Sequence, residues 1–195
     1  MRRLLFVFVD GVGLGPAGSE NPLAHGSRPA FRQLSGGAAW TRTLPARQSA
    51  HRVVRSLDAT LGVDGLPQSG TGQATLFTGV NCAERVGRHF GPFPHSATHE
   101  ALDHRNLFHR VQALSPTSAP AAFANAFPPR FFEASSRRET VTTRCRTSAD
   151  VSLRTLDALR ARRAGAADLT AGGWRPTPAP DRAPRPPAVR RPPPA

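Results

Sequence analysis

The sequence predicts an α/β fold built on an open, mostly parallel sheet with flanking helices, and three observations carry that prediction. Residues 4–9 form an unbroken apolar run, the pattern of a strand covered on both faces. Segments of strand and helix character alternate along the chain, which favours helices laid on a parallel sheet over an all-helical or all-strand architecture. Of the 195 residues 38% are hydrophobic, enough to furnish one core.

The elements follow in order. The first strand runs straight into Asp10, and in an open α/β sheet ligands gather beyond the carboxyl ends of strands, so a carboxylate there is placed for a metal or a substrate. Asp10-Gly11 is equally a strong turn dipeptide. Residues 11–28 read as loop. Pro29 opens a short helix through Ala30, Phe31 and Leu34, closed by Gly36 and Gly37. Residues 51–57 alternate weakly as a strand, 58–72 read as loop, and 73–78 as a helix ended by Gly79. Leu107, Phe108, Val111 and Leu114 have helical spacing, and residues 121–126 are expected to be the next central strand. Pro128 and Pro129 break the chain before Phe131 and Phe132. The last helix is the clearest: Asp150 stands near its start, Val151, Leu153, Leu156 and Leu159 are apolar, and Arg160, Arg162 and Arg163 complement the dipole at its end. Gly165 is its expected C-cap.

Composition divides the chain. Nine of the 20 prolines fall between Pro176 and Pro194, interleaved with arginine and alanine. Such a segment lacks the apolar surface to offset the entropy of ordering its backbone, so residues 174–195 are expected to be a disordered tail and 1–173 the folded part. The formal charge is +13 and every one of the 26 basic residues is arginine. A charge of that size raises nucleic acid as an alternative partner. Scarce stacking aromatics and the lack of an RRM, KH or finger pattern disfavour it. Cys82 and Cys145 show neither metal-ligand spacing nor a disulfide framework, which suits free thiols in a reducing compartment and a cytoplasmic location. The apolar run after Arg2 and Arg3 is too short for a signal-peptide core, and no stretch approaches the length of a membrane span, so no membrane partner is expected.

Two glycine motifs bear on chemistry. Gly13-Leu14-Gly15-Pro16-Ala17-Gly18 matches G-x-G-x-x-G, but the residues after it read as more loop, and that fingerprint needs a helix opening within the glycines. Gln68-Ser69-Gly70-Thr71-Gly72-Gln73 is more informative. A hydroxyl residue stands at a turn opening a helix, whose N–H groups and positive dipole end face a group beside Ser69. Ser69 is a candidate nucleophile if a base or metal takes its proton, Thr71 is a second, and either residue would also serve as a plain N-cap.

These segments together resemble the alkaline phosphatase superfamily, and within it cofactor-independent phosphoglycerate mutase and related phosphomutases. The resemblance is carried by Phe8-Val9-Asp10-Gly11-Val12-Gly13, by Asn21, Ala24, Pro29, Phe31 and Leu34, and by Leu57-Asp58-Ala59 and Gly65-Leu66-Pro67 running into Gln68 to Gln73. It implies a metal-dependent phosphoryl-transfer enzyme, phosphomutase or phosphatase in type, acting on a phosphorylated small molecule. Asp10 would be a metal ligand, and Ser69 both nucleophile and metal contact. Two divalent ions are implied, Mn or Zn first and Mg next. Gln73 departs from the histidine usual in the mutases, and Thr71 stays a candidate because the superfamily also uses threonine. The resemblance covers only the N-terminal part of such a domain and leaves the sheet incomplete at its C-terminus. It places the remaining aspartate and histidine ligands beyond this chain and predicts little turnover for the chain alone. His89 and His95 line a substrate pocket or are satisfied locally. The composition after Trp174 is that of GC-rich codons read out of frame, so a frameshift or truncation is expected near residues 171–175. A non-catalytic remnant is the remaining alternative.

Overall fold

The computed structural model describes residues 4–26, 28–114, 121–128, 131–132 and 139–166. The proline-rich tail lies outside them. Short helices dominate: α1 (Pro22–His25), α2 (Pro29–Ser35), α3 (Ser69–Thr78), α4 (Cys82–Val86), α5 (His99–His104), α6 (Leu107–Leu114), α7 (Val141–Ser148) and α8 (Leu156–Arg160). The strands are β1 (Arg47–Ser49), β2 (Arg52–Val54), β3 (Ala126–Phe127) and β4 (Arg154–Thr155). Among the described residues β1 pairs β2 antiparallel and β3 pairs β4 in parallel, each as a two-stranded sheet. No helix among them is long and apolar enough to cross a membrane.

Glycine ends α2 and α3 where the sequence suggests it, and α4 where it did not. α2 closes on Gly36 in the left-handed region, with the Gly37 amide reaching back to Arg32 O, which satisfies carbonyls the helix leaves unpaired. α3 ends on Gly79 and α4 on Gly87 in the same conformation.

Three expectations change. Residues 4–9 carry no strand pairing among the described residues and are exposed, Leu4 at 81% and Val9 at 53%. The apolar pattern was that of a strand covered on both faces, and the described residues do not cover it. Phe6 nonetheless stands edge-on to Phe77, 5.7 Å between ring centres. The strand expected at 121–126 shrinks to β3 and a bridge from Asn125 to Gly165. The alanines there lack the β-branched bulk that favours a strand. The last helix is only α8, and Asp150 does not open it. Asp150 has φ 52° and closes the preceding helix α7: its amide donates to Thr147 O and that of Val151 to Arg146 O, the paired bonds of a Schellman ending. Gly165, bridged to Asn125, is not the cap of α8; Arg162 takes the left-handed position instead, at φ 55°.

The core is where α3, α4, α5 and α7 meet, formed by Ala74, Phe77, Cys82, Leu102, Val141 and Cys145 with Val80, Leu107 and Phe108 against it. Aromatic rings extend it from Phe77 through Phe108 and Phe123 to Phe127, at centre distances of 6.0, 6.4 and 6.0 Å, so the β3–β4 pair is tied to the helices by ring contacts. Arg144 on α7 forks onto Asp103 on α5 at 2.7 and 2.6 Å. Planar bidentate geometry of this kind fixes the angle between two helices as well as their spacing.

Burial of titratable groups makes stability depend on pH in both directions. His99 is held below its ordinary value of 6.5, chiefly by burial and next by the Arg144 charge. The unfolded chain therefore takes up a proton that the folded chain refuses, so the stability His99 contributes is present above that value and lost as pH falls below it. Burial pushes the Cys145 thiol up to about 12 and raises Cys82 as well, from an ordinary 9.0. Here the unfolded chain loses protons first, so stability is lost as pH rises above 9.0. The urea midpoint is expected to fall on both flanks, with Cys145→Ala flattening the alkaline one. A level midpoint through that alkaline range would remove the assignment.

Candidate active site

Asp10 and Ser69, distant in sequence, meet in space. Gly11, at φ 74°, turns the chain after Asp10, and its amide donates to Asp10 Oδ1 at 3.0 Å. The other carboxylate oxygen accepts from Ser69 Oγ at 2.9 Å and from Gln73 Nε2 at 3.4 Å. Ser69 and Gln73 are four residues apart on α3, so helical geometry puts them on one face and lets a single carboxylate bridge them. Asp10 is exposed and Ser69 half-buried, which leaves the hydroxyl open to a ligand.

Ser69 is the first residue of α3, four residues ahead of the expected start, and Gln68 takes the N-cap position without a side-chain bond. Neither hydroxyl residue caps the helix. The dipole of the ten-residue α3 favours negative charge beside Ser69, whether from Asp10 or from an incoming anion.

Thr71 is placed differently. It is fully buried, its amide donates to Phe90 O at 2.9 Å, and its Oγ1 accepts from the Phe90 amide at 3.2 Å. That reciprocal pair staples α3 to the loop after α4, so one of the helix's leading amides is already taken. Gly70 explains how close the loop comes: a Cβ there would lie 2.2 Å from Phe93 O and 2.5 Å from Phe90 O. The two glycines of the motif thus differ in purpose. Gly70 admits another backbone, whereas a Cβ on Gly72 would meet nothing within 4 Å. Neither makes the turn that the sequence suggested, because both lie inside α3.

His89 and His95 have local partners. The His89 Nε2 pairs with Val63 O at 3.1 Å, and His95 Nδ1 accepts from the Ala97 amide at 3.1 Å while its ring stands edge-on to Phe90. The segment of residues 13–18 opens no helix; Gly15 forms a bridge with Thr41 instead. A cavity of about 500 Å3 bounded by Gln112, Val151, Arg154, Asp157 and Arg163 includes none of Asp10, Ser69 and Gln73.

The donors at Asp10 are one carboxylate, one hydroxyl and one amide. Among the described residues no group of three or more His, Cys, Asp or Glu side chains is gathered to hold an ion. A divalent cation needs several ligands to offset its dehydration, so this set fits one edge of a metal site and not two ions. The residue that sequence reasoning passed over is Gln73, noted only for not being histidine. Its i+4 spacing from Ser69 was the available signal. No protein-family model, curated protein or solved structure matches this chain.

Proposed function

We propose that this chain carries the nucleophile side of a metal-dependent phosphoryl-transfer site of the alkaline phosphatase kind, within an α/β fold whose sheet residues 4–9 would join only with strand neighbours that the described residues do not supply. The substrate is a phosphorylated small molecule, and Ser69 is the residue that accepts the phosphoryl group. The single observation behind this reading is the 2.9 Å hydrogen bond from Ser69 Oγ to Asp10 Oδ2 across 59 residues of chain. A serine hydroxyl needs a proton acceptor to attack, and that bond supplies one. In the step, Ser69 Oγ forms a bond to phosphorus, the ester oxygen leaves, and the hydroxyl proton passes to Asp10 Oδ2. Gln73 holds the same carboxylate oxygen and orients it, and the N-terminal end of α3 favours the anionic phosphoryl group. The burial of Thr71 supports a role in holding α3 and leaves attack to Ser69 in this reading. The implied divalent ions, Mn or Zn with Mg as an alternative, require ligands beyond the described residues.

The test is transfer from p-nitrophenyl phosphate, with Mn or Zn present, read by mass spectrometry as phosphoserine at Ser69. Ser69→Ala is expected to abolish the label. Asp10→Asn is expected to slow it by about 10²–10⁴-fold, the usual contribution of a positioned base. Thr71→Val should leave labelling intact while lowering stability. Label persisting in Ser69→Ala, or appearing on Thr71, defeats the reading.

A further inference from the structure

Three arginines converge on the corner that ends α2. The Arg32 guanidinium donates to Gly37 O at 3.1 Å, and Arg52 Nη1 donates to Gln33 O at 2.6 Å. Arg52 Nη2 and Arg47 Nη1 stand 3.3 and 3.4 Å from the point that a Cβ on Gly36 would occupy. The hairpin register explains how two of them arrive together. Arg47 lies opposite Val54 and Arg52 opposite Ser49, so the two arginines share one face of the β1–β2 pair. Gly36, with φ 67°, keeps the space between them open because it has no side chain and tolerates the left-handed conformation.

Among the described residues none of the three arginines forms an ion pair; the pairs present involve Arg85, Arg144 and Arg160. Like charges brought to one point repel, and the carbonyls of Gln33 and Gly37 only partly compensate. A bound anion removes the repulsion and uses the remaining guanidinium N–H groups.

The geometry points to a binding site for one phosphate group, carried on a small phosphorylated molecule, at the Gly36–Gly37 corner between Arg32, Arg47 and Arg52. Planar guanidinium forks match phosphate oxygens in pairs, which favours this anion over a simple halide. Arg47 and Arg52 meet at Gly36 and Arg32 is held on the next residue's carbonyl, a compact set that fits one phosphate, whereas a polynucleotide is followed by cations spread along its backbone. The site is independent of Asp10 and Ser69.

Inorganic phosphate titrated into the 15N-labelled chain tests it, read at the Gly36 and Gly37 amide resonances. Saturable shifts of both are expected in the parent protein and equally in Ser69→Ala, which separates this site from the proposed nucleophile. Arg47→Ala leaves the Arg52–Gln33 and Arg32–Gly37 bonds in place and is expected to weaken the binding about tenfold, the loss typical of hydrogen bonds to a charged group. Circular dichroism confirms that this variant stays folded. Unmoved glycine resonances, or an unchanged titration in Arg47→Ala, overturn the proposal. So does saturation by a single-stranded oligonucleotide where inorganic phosphate has no effect.

Discussion

Gly70→Ala is expected to lower stability by about 3 kcal/mol, combining overpacking against fixed backbone with the loss of hydrogen bonds. The added methyl would sit 2.2 Å from one backbone carbonyl oxygen and 2.5 Å from another, closer than non-bonded atoms approach. Neither oxygen is the end of a flexible side chain, so α3 or the loop at residues 90–93 must move as a whole. Movement breaks the Thr71–Phe90 pair of hydrogen bonds and leaves the buried Thr71 amide without its partner. Gly72→Ala is the control within the same helix. Nothing stands within 4 Å of its Cβ position, so the substitution only removes conformational freedom from the unfolded chain and is expected to add about 0.5–1 kcal/mol. Urea unfolding of both variants decides the matter. Equal effects at the two positions would show that the close approach at Gly70 is not what holds the loop to the helix. Because the hydroxyl of Ser69 is one residue away, Gly70→Ala is expected to impair the proposed phosphoryl transfer as well.

Asn106→Ala is expected to cost about 3 kcal/mol, the sum of a lost N-cap and of carbonyl groups left unpaired in the interior. Asn106 is fully buried in front of α6. Its Oδ1 accepts from the amides of Phe108 and His109 at 2.9 and 3.3 Å, which satisfies the start of that helix. Its amide nitrogen has two hydrogens for three acceptors nearby, Leu102 O at 2.6 Å, Ser148 Oγ at 3.0 Å and Cys145 O at 3.2 Å. One side chain therefore joins the ends of α5 and α7 to the beginning of α6. Asn106→Asp separates the two functions, since it keeps the capping oxygen and turns a carboxylate toward carbonyl oxygens. Its deficit is expected to shrink as pH falls and the carboxyl gains a proton that it can donate. A deficit independent of pH would mean that the cap alone matters.

The residues that read correctly from sequence were those whose role is fixed by their own chemistry. Pro29 and Gly36 mark the ends of α2 because one pre-sets a helical φ and the other accepts a left-handed one. Leu107 to Leu114 formed the expected helix, and Asp10 meets Ser69 as the resemblance implied, although the strand expected ahead of Asp10 is not paired among the described residues. What was not legible depended on contacts between distant parts of the chain. α7 is rich in threonine, a weak helix former, and is held by burying Val141, Thr143 and Cys145. Asp150 was read as the start of a helix because acidic residues favour that position, yet the same short side chain suits the left-handed residue that ends one. In the Gly70-Thr71-Gly72 triplet the sequence offered two equivalent glycines. Only the arrival of the loop at residues 90–93 distinguishes them.

The apolar run ahead of Asp10 determines how well that carboxylate is held. Among the described residues, the ring contact of Phe6 on Phe77 and the hydrogen bonds at Asp10 itself help to hold this end of the chain. The carboxylate therefore meets Ser69 at the end of a tether, and its effective molarity at the hydroxyl rises with every restraint placed on residues 4–9.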